Sequence, residues 1–347
     1  MMRVGIVGIG FMGWIHWLAY HRTPGVKVVA ICTRDPKKRS GDWRGIQGNF
    51  GPPGELVDLT GVRAYAELDT LLADADVDLV DICLPPYLHE PAAIRALEAG
   101  KHVFVEKPLG LTADQCERIV EAARQGQRQL LVGHVLPFFP EYRYAYQAIH
   151  RGDFGPVCGG QFKRVISEPT WLPDFFDPER VGGPLIDLHV HDAHWIRLLF
   201  GMPTSVVSQG RLRGQVVEFC CSLFYFDGAP FTVSAVCGVI GQPGRSFTHG
   251  FEIYCQKATL QYEFAVIDGK PRLLMPLTIY HQDGRVEEPE LGAGDPIDAF
   301  VAEIGEVRDA IEQDRASALL DGALARDAVL LCQRQTESVK TQERVNV

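Results

Sequence analysis

The sequence lacks long apolar runs. In its 347 residues no stretch approaches the roughly 18 consecutive apolar residues of a membrane-spanning helix. It also lacks a basic stretch, an apolar segment and a small-residue cleavage site ahead of the first strand-like segment, residues 3–7. We therefore expect a cytoplasmic protein that does not act at a membrane.

An excess of basic residues is also absent. The chain has 34 Lys and Arg against 44 Asp and Glu, a formal net charge of −10. An acidic chain disfavours broad binding to nucleic acids or anionic membranes, so neither is an expected partner. The nine cysteines are odd in number and include no CxxC pair. This pattern disfavours a disulfide framework or a zinc knuckle and favours reduced, mostly buried thiols.

The composition is typical of a soluble globular chain, with 46% hydrophobic and 22% charged residues. A chain of this length predicts about two domains. We expect a first domain over residues 1–135, a second over 136–295, and C-terminal helices over 296–347 that pack back on the first domain.

The first domain alternates short apolar runs with helical patterns. Its predicted strands are Val4–Gly8, Val26–Cys32, Val77–Leu84, His102–Val105 and Gln129–Gly133. Apolar strands that alternate with helices predict an α/β fold with a doubly wound parallel sheet. Residues 40–61 contain several glycines, two prolines and little periodicity. They predict an inserted surface loop.

The second domain has a different pattern. A helical segment, Pro184–Phe200, is followed by strand-like runs that are separated by turn signals such as Asp227-Gly228 and Asp268-Gly269. This order predicts an α+β domain in which a helix packs on an antiparallel sheet. Two helices follow, Pro296–Asp314 and Ala318–Ser338, and Asp295 is the expected N-cap of the first.

A GxGxxG motif joins the first strand to the first helix. Gly8 allows the tight turn, Gly10 lets the backbone approach a pyrophosphate, and Gly13 lets the helix pack close to the strand. Phe11 and Met12 lie in the first helical turn, whose N–H groups favour an anion. Because the motif has the strand–turn–helix context that it requires, it predicts a dinucleotide site rather than a structural turn alone.

The end of the second strand bears on the choice between NAD and NADP. Thr33 stands where NAD sites usually place an acidic residue, and Arg34 and Lys38 follow. A hydroxyl and a guanidinium suit a 2′-phosphate, which favours NADP over NAD. Two alternatives stay open: Asp35 binds the ribose of NAD, or the basic run is only a solvated surface.

Glu106, Lys107 and Pro108 end an apolar strand on the side where open α/β sheets bind ligands. A lysine at this place can hydrogen-bond a substrate hydroxyl and help to transfer a proton. A surface ion pair between Glu106 and Lys107 is the alternative.

Asp187, His191 and His194 follow one another at helical spacing, i, i+4 and i+7. On a regular α-helix they share one face of an otherwise apolar segment. Buried polar groups need partners, so the face predicts either a pocket for acid–base chemistry or an inert hydrogen-bonded network. Two histidines and a carboxylate would also suffice for a metal, although we expect none.

Together these motifs are similar to those of one known family. GxGxxG followed by His16, the strand-end Glu106-Lys107-Pro108, and the GG-xxx-D-xxx-H pattern of residues 182–191 resemble the glucose–fructose oxidoreductase/inositol dehydrogenase (Gfo/Idh/MocA) family. Pro85 and His89 resemble part of another family pattern. The resemblance extends over nearly the whole chain.

The resemblance implies a Rossmann domain and an α+β domain with a large, mainly antiparallel open sheet that supports homodimers or homotetramers. It implies reversible hydride transfer between a nicotinamide and a secondary alcohol of a sugar or cyclic polyol. Lys107 and His191 would be the catalytic pair, and Asp187 the partner of His191. The implied cofactor contacts also include these residues: Leu84, Pro85, His89, Glu106 and Lys107.

Two residues depart from the family pattern, one on the nicotinamide side of the site and one on the substrate side. Pro86 stands where relatives often have Asn, and His194 where many have Asp. We expect substrate contacts from Arg164, Trp171 and His194, with an ordinary loop as the alternative for the first two. Three other functions stay open: a redox-neutral, NAD-assisted glycosidase-like enzyme, a non-catalytic nucleotide-binding regulator, and a metal-dependent enzyme.

Overall fold

The computed structural model describes residues 1–228, 230–292 and 294–347. Contacts divide the chain into two compact units. The first contains Met1–Gly110, Asp114–Phe139 and Ala293–Arg326, and the second contains Leu111–Ala113, Pro140–Gly292 and Asp327–Val347. The C-terminal segment that we expected to belong wholly to the first unit is thus divided after Arg326.

The first unit has a parallel sheet in the order β3-β2-β1-β4-β5-β6. Its strands are β1 (Met2–Val7), β2 (Val26–Cys32), β3 (Arg63–Tyr65), β4 (Leu79–Ile82), β5 (His102–Glu106) and β6 (Leu130–Gly133). This confirms the predicted doubly wound arrangement. The strand order reverses at β1, and open sheets of this kind bind ligands beside that reversal, at the carboxyl ends of the strands.

The helices of the first unit include one that comes from near the end of the chain. They are α1 (Phe11–Arg22), α2 (Pro36–Arg39), α3 (Leu68–Leu72), α4 (His89–Glu98), α5 (Ala113–Gly126) and α8 (Pro296–Glu312). The Asp295 carboxylate accepts a hydrogen bond from the Ile297 N–H at 3.0 Å. The predicted N-cap of α8 is therefore confirmed.

Residues 40–61 form an irregular, mostly exposed segment, as predicted, but the segment also contributes to the core. Trp43 and Ile46 are buried in the same hydrophobic core as Trp14 and Ile15 of α1. The glycine content correctly indicated irregular backbone, but two large apolar side chains anchor that backbone in the core. The segment is therefore packed into the first unit at these two positions.

The second unit contains a sheet in the order β14-β13-β12-β11-β7-β10-β9-β8-β15. Its strands are β7 (Val157–Ser167), β8 (Ser205–Arg213), β9 (Val216–Tyr225), β10 (Thr232–Ile240), β11 (Arg245–Cys255), β12 (Ala258–Ile267), β13 (Lys270–His281), β14 (Val286–Glu287) and β15 (Val345–Asn346). Neighbours are antiparallel except β7 and β10, which pair in parallel. The large, mainly antiparallel sheet is thus confirmed.

Three α-helices accompany this sheet: α6 (Pro140–Arg151), α7 (Val190–Phe200) and α9 (Gly322–Thr341), whose first turn lies before Asp327. The helix predicted over 184–200 instead begins with a π-helical turn, Leu185–His189, and continues as α7. Of the helices in the described ranges, none combines the length and the apolar character needed to cross a membrane.

Candidate functional site

The turn between β1 and α1 depends on three glycines that face different surroundings. Gly8 has φ of 96°, and a Cβ there would lie 2.6 Å from the Cys83 carbonyl oxygen. A Cβ on Gly13 would overlap the Gly8 carbonyl oxygen, whereas no heavy atom lies within 4 Å of the position on Gly10. Gly8 and Gly13 therefore close the turn, and Gly10 leaves room for a ligand against the backbone. These surroundings fit a bound pyrophosphate.

The start of α1 suits an anion. Gly10 is the N-cap, and the first turn, with Phe11, Met12 and Gly13, contains no acidic residue. The N–H groups of a first helical turn have no partner within the helix and carry its positive dipole end. The Lys38 ammonium donates to the Ile9 carbonyl oxygen at 2.6 Å, which places a cation at this turn.

The residues that follow β2 are those that bear on the choice between NAD and NADP. Arg34 is exposed. Thr33 Oγ1 accepts from the Asp35 N–H at 3.3 Å, and the Asp35 carboxylate caps α2 by accepting from the Lys37 N–H at 2.9 Å. Asp35, the alternative ligand for an NAD ribose, is therefore engaged as a helix cap.

Buried His16, on α1, contacts an acidic residue of β4 and an acidic residue of β5. His16 Nδ1 lies 2.8 Å from Asp81 Oδ2, and His16 Nε2 lies 3.0 Å from Glu106 Oε1. Burial lowers the pKa of His16, but Asp81 and Cys83 together outweigh burial, and the pKa lies well above its ordinary value. An imidazolium donates from both nitrogens, so His16 is a cation between two carboxylates.

The Lys107 backbone is held from two sides. Its N–H donates to Glu106 Oε2 at 3.1 Å. The ring nitrogens of buried His89 lie 2.7 Å from the carbonyl oxygens of Pro108 and Leu84. Since both nitrogens of His89 face protein backbone, this geometry favours a positioning role for His89 over the predicted cofactor contact. Pro85 lies beside Leu84 in the segment that His89 fixes.

Helix α8 adds a buried carboxyl that the sequence analysis missed. Glu303 is fully buried, and its oxygens have no hydrogen-bond partner within the described ranges. Burial raises its pKa well above the ordinary value, and the Glu106 carboxylate raises it further. A signal was present: Glu303 lies on the apolar stripe of α8 with Phe300 and Ile304. An acid on such a stripe predicts a buried polar cluster.

One group of potential metal ligands occurs in the described part of the chain. The ligand atoms of His16, Asp81 and Cys83 lie within 4.8 Å of one another. Both nitrogens of His16 already face carboxylates, and burial raises the pKa of the Cys83 thiol well above its usual range. A thiolate is the form that binds metal, so the group fits a hydrogen-bonded network better than a metal site.

The polar segment of the second unit is not the regular α-helix that we assumed. Asp187 lies in the π-helical turn and His191 near the start of α7, and both are partly exposed. His194 is fully buried. The wider π turn changes the angular spacing, so the predicted single face no longer follows from i, i+4 and i+7. Such turns occur frequently at functional sites, and this one contains a predicted catalytic residue.

Arg164 is placed differently from the predicted substrate contact. It is only 5% exposed, and it donates to both Asp192 carboxylate oxygens, at 2.8 and 3.1 Å. His189 Nδ1 lies 3.6 Å from the same carboxylate, and its Nε2 accepts from Gln335 at 3.0 Å. This buried bidentate pair favours a structural role for Arg164, because freeing the guanidinium would leave the Asp192 charge unpaired.

Trp171 lies in the loop after β7 and is 65% exposed. Its neighbours Thr170 and Leu172 line a cavity of about 350 Å³ together with Glu168, Phe176 and Arg213. The Arg213 guanidinium stacks 4.0 Å from the centre of the Phe176 ring and pairs with Glu168 at 2.8 Å. Trp171 is not one of the residues that line this cavity, so the support for its predicted contact with a sugar ring is the exposure of its own aromatic ring.

Two family models match the chain. The model of the oxidoreductase family with an NAD-binding Rossmann fold (GFO/IDH/MocA) matches residues 2–134. The GFO/IDH/MocA C-terminal domain model matches residues 142–261. The chain belongs to the Gfo/Idh/MocA family. The Gly-rich turn, His16 and Lys107 lie in the first matched part, and Asp187 and His191 lie in the second.

The curated relatives that the chain resembles are named for activities that differ from one another. A glycosyl hydrolase family 109 protein from Shewanella pealeana is 31% identical over 170 residues, which are 49% of this chain and 36% of the relative. A 2,7-anhydro-N-acetylneuraminate hydratase from Mediterraneibacter gnavus is 34% identical over 218 residues, or 60% and 53% of the two chains. The matches thus span about half of these relatives or less.

Solved structures share the fold over the whole chain. An oxidoreductase from Agrobacterium radiobacter in complex with NAD⁺, L-tartaric acid and magnesium has a TM-score of 0.81 at 17% identity, and covers 99% of this chain and 98% of its own. Levoglucosan dehydrogenase in complex with NADH and levoglucosan has a TM-score of 0.80 at 20% identity, and covers 100% and 99%.

Proposed function

We propose that this protein is an NAD(P)-dependent oxidoreductase that acts on a secondary alcohol, or the corresponding ketone, of a sugar or cyclic polyol. The observation that carries the proposal is the fixed Lys107 turn at the carboxyl end of β5, in a family that binds NAD. Gly10 supports it by leaving the Gly-rich turn open to a dinucleotide.

Each predicted catalytic residue has a separate role in this proposal. The nicotinamide supplies the redox chemistry when it is bound. In alcohol oxidation, Lys107 hydrogen-bonds the substrate oxygen through its ammonium group, and His191 accepts the hydroxyl proton. Asp187 accepts from the other ring nitrogen of His191 and stabilises its protonated form. Trp171, which is exposed, stacks on the sugar ring.

The test is a substrate panel with the purified protein. Sugars, anhydrosugars and cyclic polyols are incubated with NAD⁺ or NADP⁺, and formation of the reduced nicotinamide is followed by absorbance. We expect at least one secondary alcohol to give turnover that depends on Lys107. Tight dinucleotide binding without redox turnover on any member of a broad panel would instead favour a regulator or the redox-neutral alternative.

The redox-neutral alternative is favoured by the named activities of the two curated relatives. In this scheme a sugar carbon is oxidised, a group is eliminated or added at a neighbouring position, and the carbon is reduced again without net cofactor turnover. Incorporation of solvent deuterium beside the oxidised carbon, with no net change in nicotinamide absorbance, distinguishes it from a dehydrogenase.

Arg34→Ala is expected to weaken NADPH binding by about 10- to 100-fold and to change NADH binding little. The reason is that a charge-assisted hydrogen bond contributes roughly 1.5–3 kcal/mol, and Arg34 is exposed after β2 while Asp35 caps α2. Calorimetric titration with each nucleotide measures the change, and Lys37→Ala, an exposed neighbour, is the control. Tighter binding of NADH by the unmodified protein would reverse the proposed preference for NADP.

We also propose that the protein forms homodimers or homotetramers through the nine-stranded sheet of the second unit. Exposed apolar side chains of β8, β9 and β13 support this, namely Leu212, Leu223, Leu273 and Leu274. Light scattering at micromolar concentration is expected to give a mass of two or four chains. Leu223→Lys combined with Leu273→Lys should lower it, and a monomeric parent protein would contradict the proposal.

A further inference from the structure

Residues 40–61 are fixed to the first unit by two tryptophans. Trp43 is fully buried and meets the Trp14 ring edge-on, with 5.9 Å between ring centres. Its indole N–H donates to the Lys38 carbonyl oxygen at 2.8 Å, and the Trp14 indole N–H donates to the Pro52 carbonyl oxygen at 2.9 Å. Contacts at residues 43 and 52 therefore set the position of this part of the segment relative to α1.

The middle of this segment encloses the side chain of Phe11, the first residue of α1. Phe50 meets the Phe11 ring edge-on at 4.9 Å, and Phe50 itself stacks on Phe300 of α8 at 5.6 Å. A Cβ on Gly48 would overlap the Phe11 ring. The Phe11 ring thus lies so close to residue 48 that a methyl group at this position would require the ring to move.

Lys38 connects the same segment to the Gly-rich turn. Its ammonium donates to the Ile9 carbonyl oxygen, between Gly8 and Gly10, while its own carbonyl oxygen accepts from Trp43. The backbone before α1 and the first side chain of α1 are therefore both held by groups from one part of the chain. These residues flank the N–H groups that we assign to the pyrophosphate.

We propose that residues 40–61 act as a clamp on the first turn of α1 and that this clamp makes release of the bound dinucleotide slow. The inference rests on the proposed function, because it takes the dinucleotide as the ligand. A binding site that is fixed in its bound shape loses less entropy on binding. Differences of this kind appear mainly in the dissociation rate constant.

A slow release would also bear on the reaction type. A cofactor that is oxidised and reduced within one cycle does not need to leave, whereas a dehydrogenase exchanges its cofactor in each turnover. The clamp therefore fits the redox-neutral alternative especially well. It is compatible with a dehydrogenase whose turnover is limited by cofactor release.

The test compares Gly48→Ala with Gly45→Ala in the otherwise unchanged chain. The new methyl group at 48 displaces the Phe11 ring, while no heavy atom lies within 4 Å of the position at 45. NADPH bound to each protein is chased with excess NADP⁺ in a stopped-flow instrument, and the loss of NADPH fluorescence gives the release rate. We expect Gly48→Ala to release NADPH about tenfold faster and Gly45→Ala to match the unmodified protein.

Phe50→Leu is a second variant, which removes the ring contact without adding volume. We expect it to speed release severalfold while the melting temperature of the nucleotide-free protein stays close to that of Gly45→Ala. If Gly48→Ala does not fold, Phe50→Leu decides alone. Release at the unmodified rate in the folded variants would overturn the clamp. An unmodified protein that binds neither NADH nor NADPH would instead overturn the proposed function.

Discussion

Lys107→Ala is expected to lower the turnover number by about 10²- to 10⁴-fold. This is the range for loss of one group that takes part in acid–base catalysis. The structure gives a reason to expect that this substitution leaves the turn in place. Glu106 holds this turn through the backbone N–H of residue 107, and His89 contacts the next carbonyl oxygen, so neither contact uses the lysine side chain. Steady-state kinetics on the substrate found in the panel measures the loss.

Dinucleotide affinity separates this catalytic role from a structural one. We expect Lys107→Ala to bind NADH within a few-fold of the parent protein, because the Gly-rich turn and the start of α1 are unchanged. Lys27→Ala, on β2 and exposed, is the charge-matched control and should keep full turnover. A Lys107→Ala enzyme with undiminished turnover would remove Lys107 from the mechanism.

What could be predicted from the sequence is mainly what depends on neighbouring residues. The roles of Gly8 and Gly13 follow from a motif of six residues, and both face backbone oxygens that a side chain would overlap. The N-cap at Asp295 follows from its place directly before Pro296. Local rules of turn and cap geometry were sufficient in these cases.

The missed features depend on contacts between distant segments. Glu303 joins the polar cluster only because α8 packs in the first unit, close to α1. His89 fixes the Lys107 turn from a different βα connection. Residue spacing within one segment does not contain such information, although the buried acid on the stripe of α8 was a usable warning.

Two corrections have related causes. Arg164 is predicted to contact the substrate because it begins the stretch of sequence that contains Trp171, but its partner Asp192 lies on another element and neutralises it inside the second unit. The assumed common face of Asp187, His191 and His194 presupposed 3.6 residues per turn, and the π-helical turn breaks that spacing. Regular helical periodicity therefore predicts the wrong arrangement of side chains where the chain is irregular.

The buried cluster of the first unit gives stability a defined dependence on pH. The pKa of His16 in the folded protein lies well above its ordinary value of 6.5. Its stabilising contribution is therefore fully present below about pH 6.5 and is lost only as the pH rises through the higher folded-state pKa. Glu303, whose pKa is also raised, likewise contributes less to stability as the pH rises above its ordinary 4.5.

His16→Leu is accordingly expected to lower the free energy of unfolding at pH 7 by about 3–5 kcal/mol, since it leaves two buried carboxylates, Asp81 and Glu106, without their cation. Denaturant unfolding at about pH 5 and pH 7 measures this. Going from pH 7 to pH 5 stabilises the parent protein slightly through His16, but it stabilises the variant more, because two buried carboxylates without their cation take up protons on folding. The deficit should therefore shrink at the lower pH. His16→Gln, which keeps one donor, should lose less, and His21→Leu, exposed on the same helix, should lose little. A deficit that is small, or equal at both pH values, would show that His16 is not the cation of this cluster.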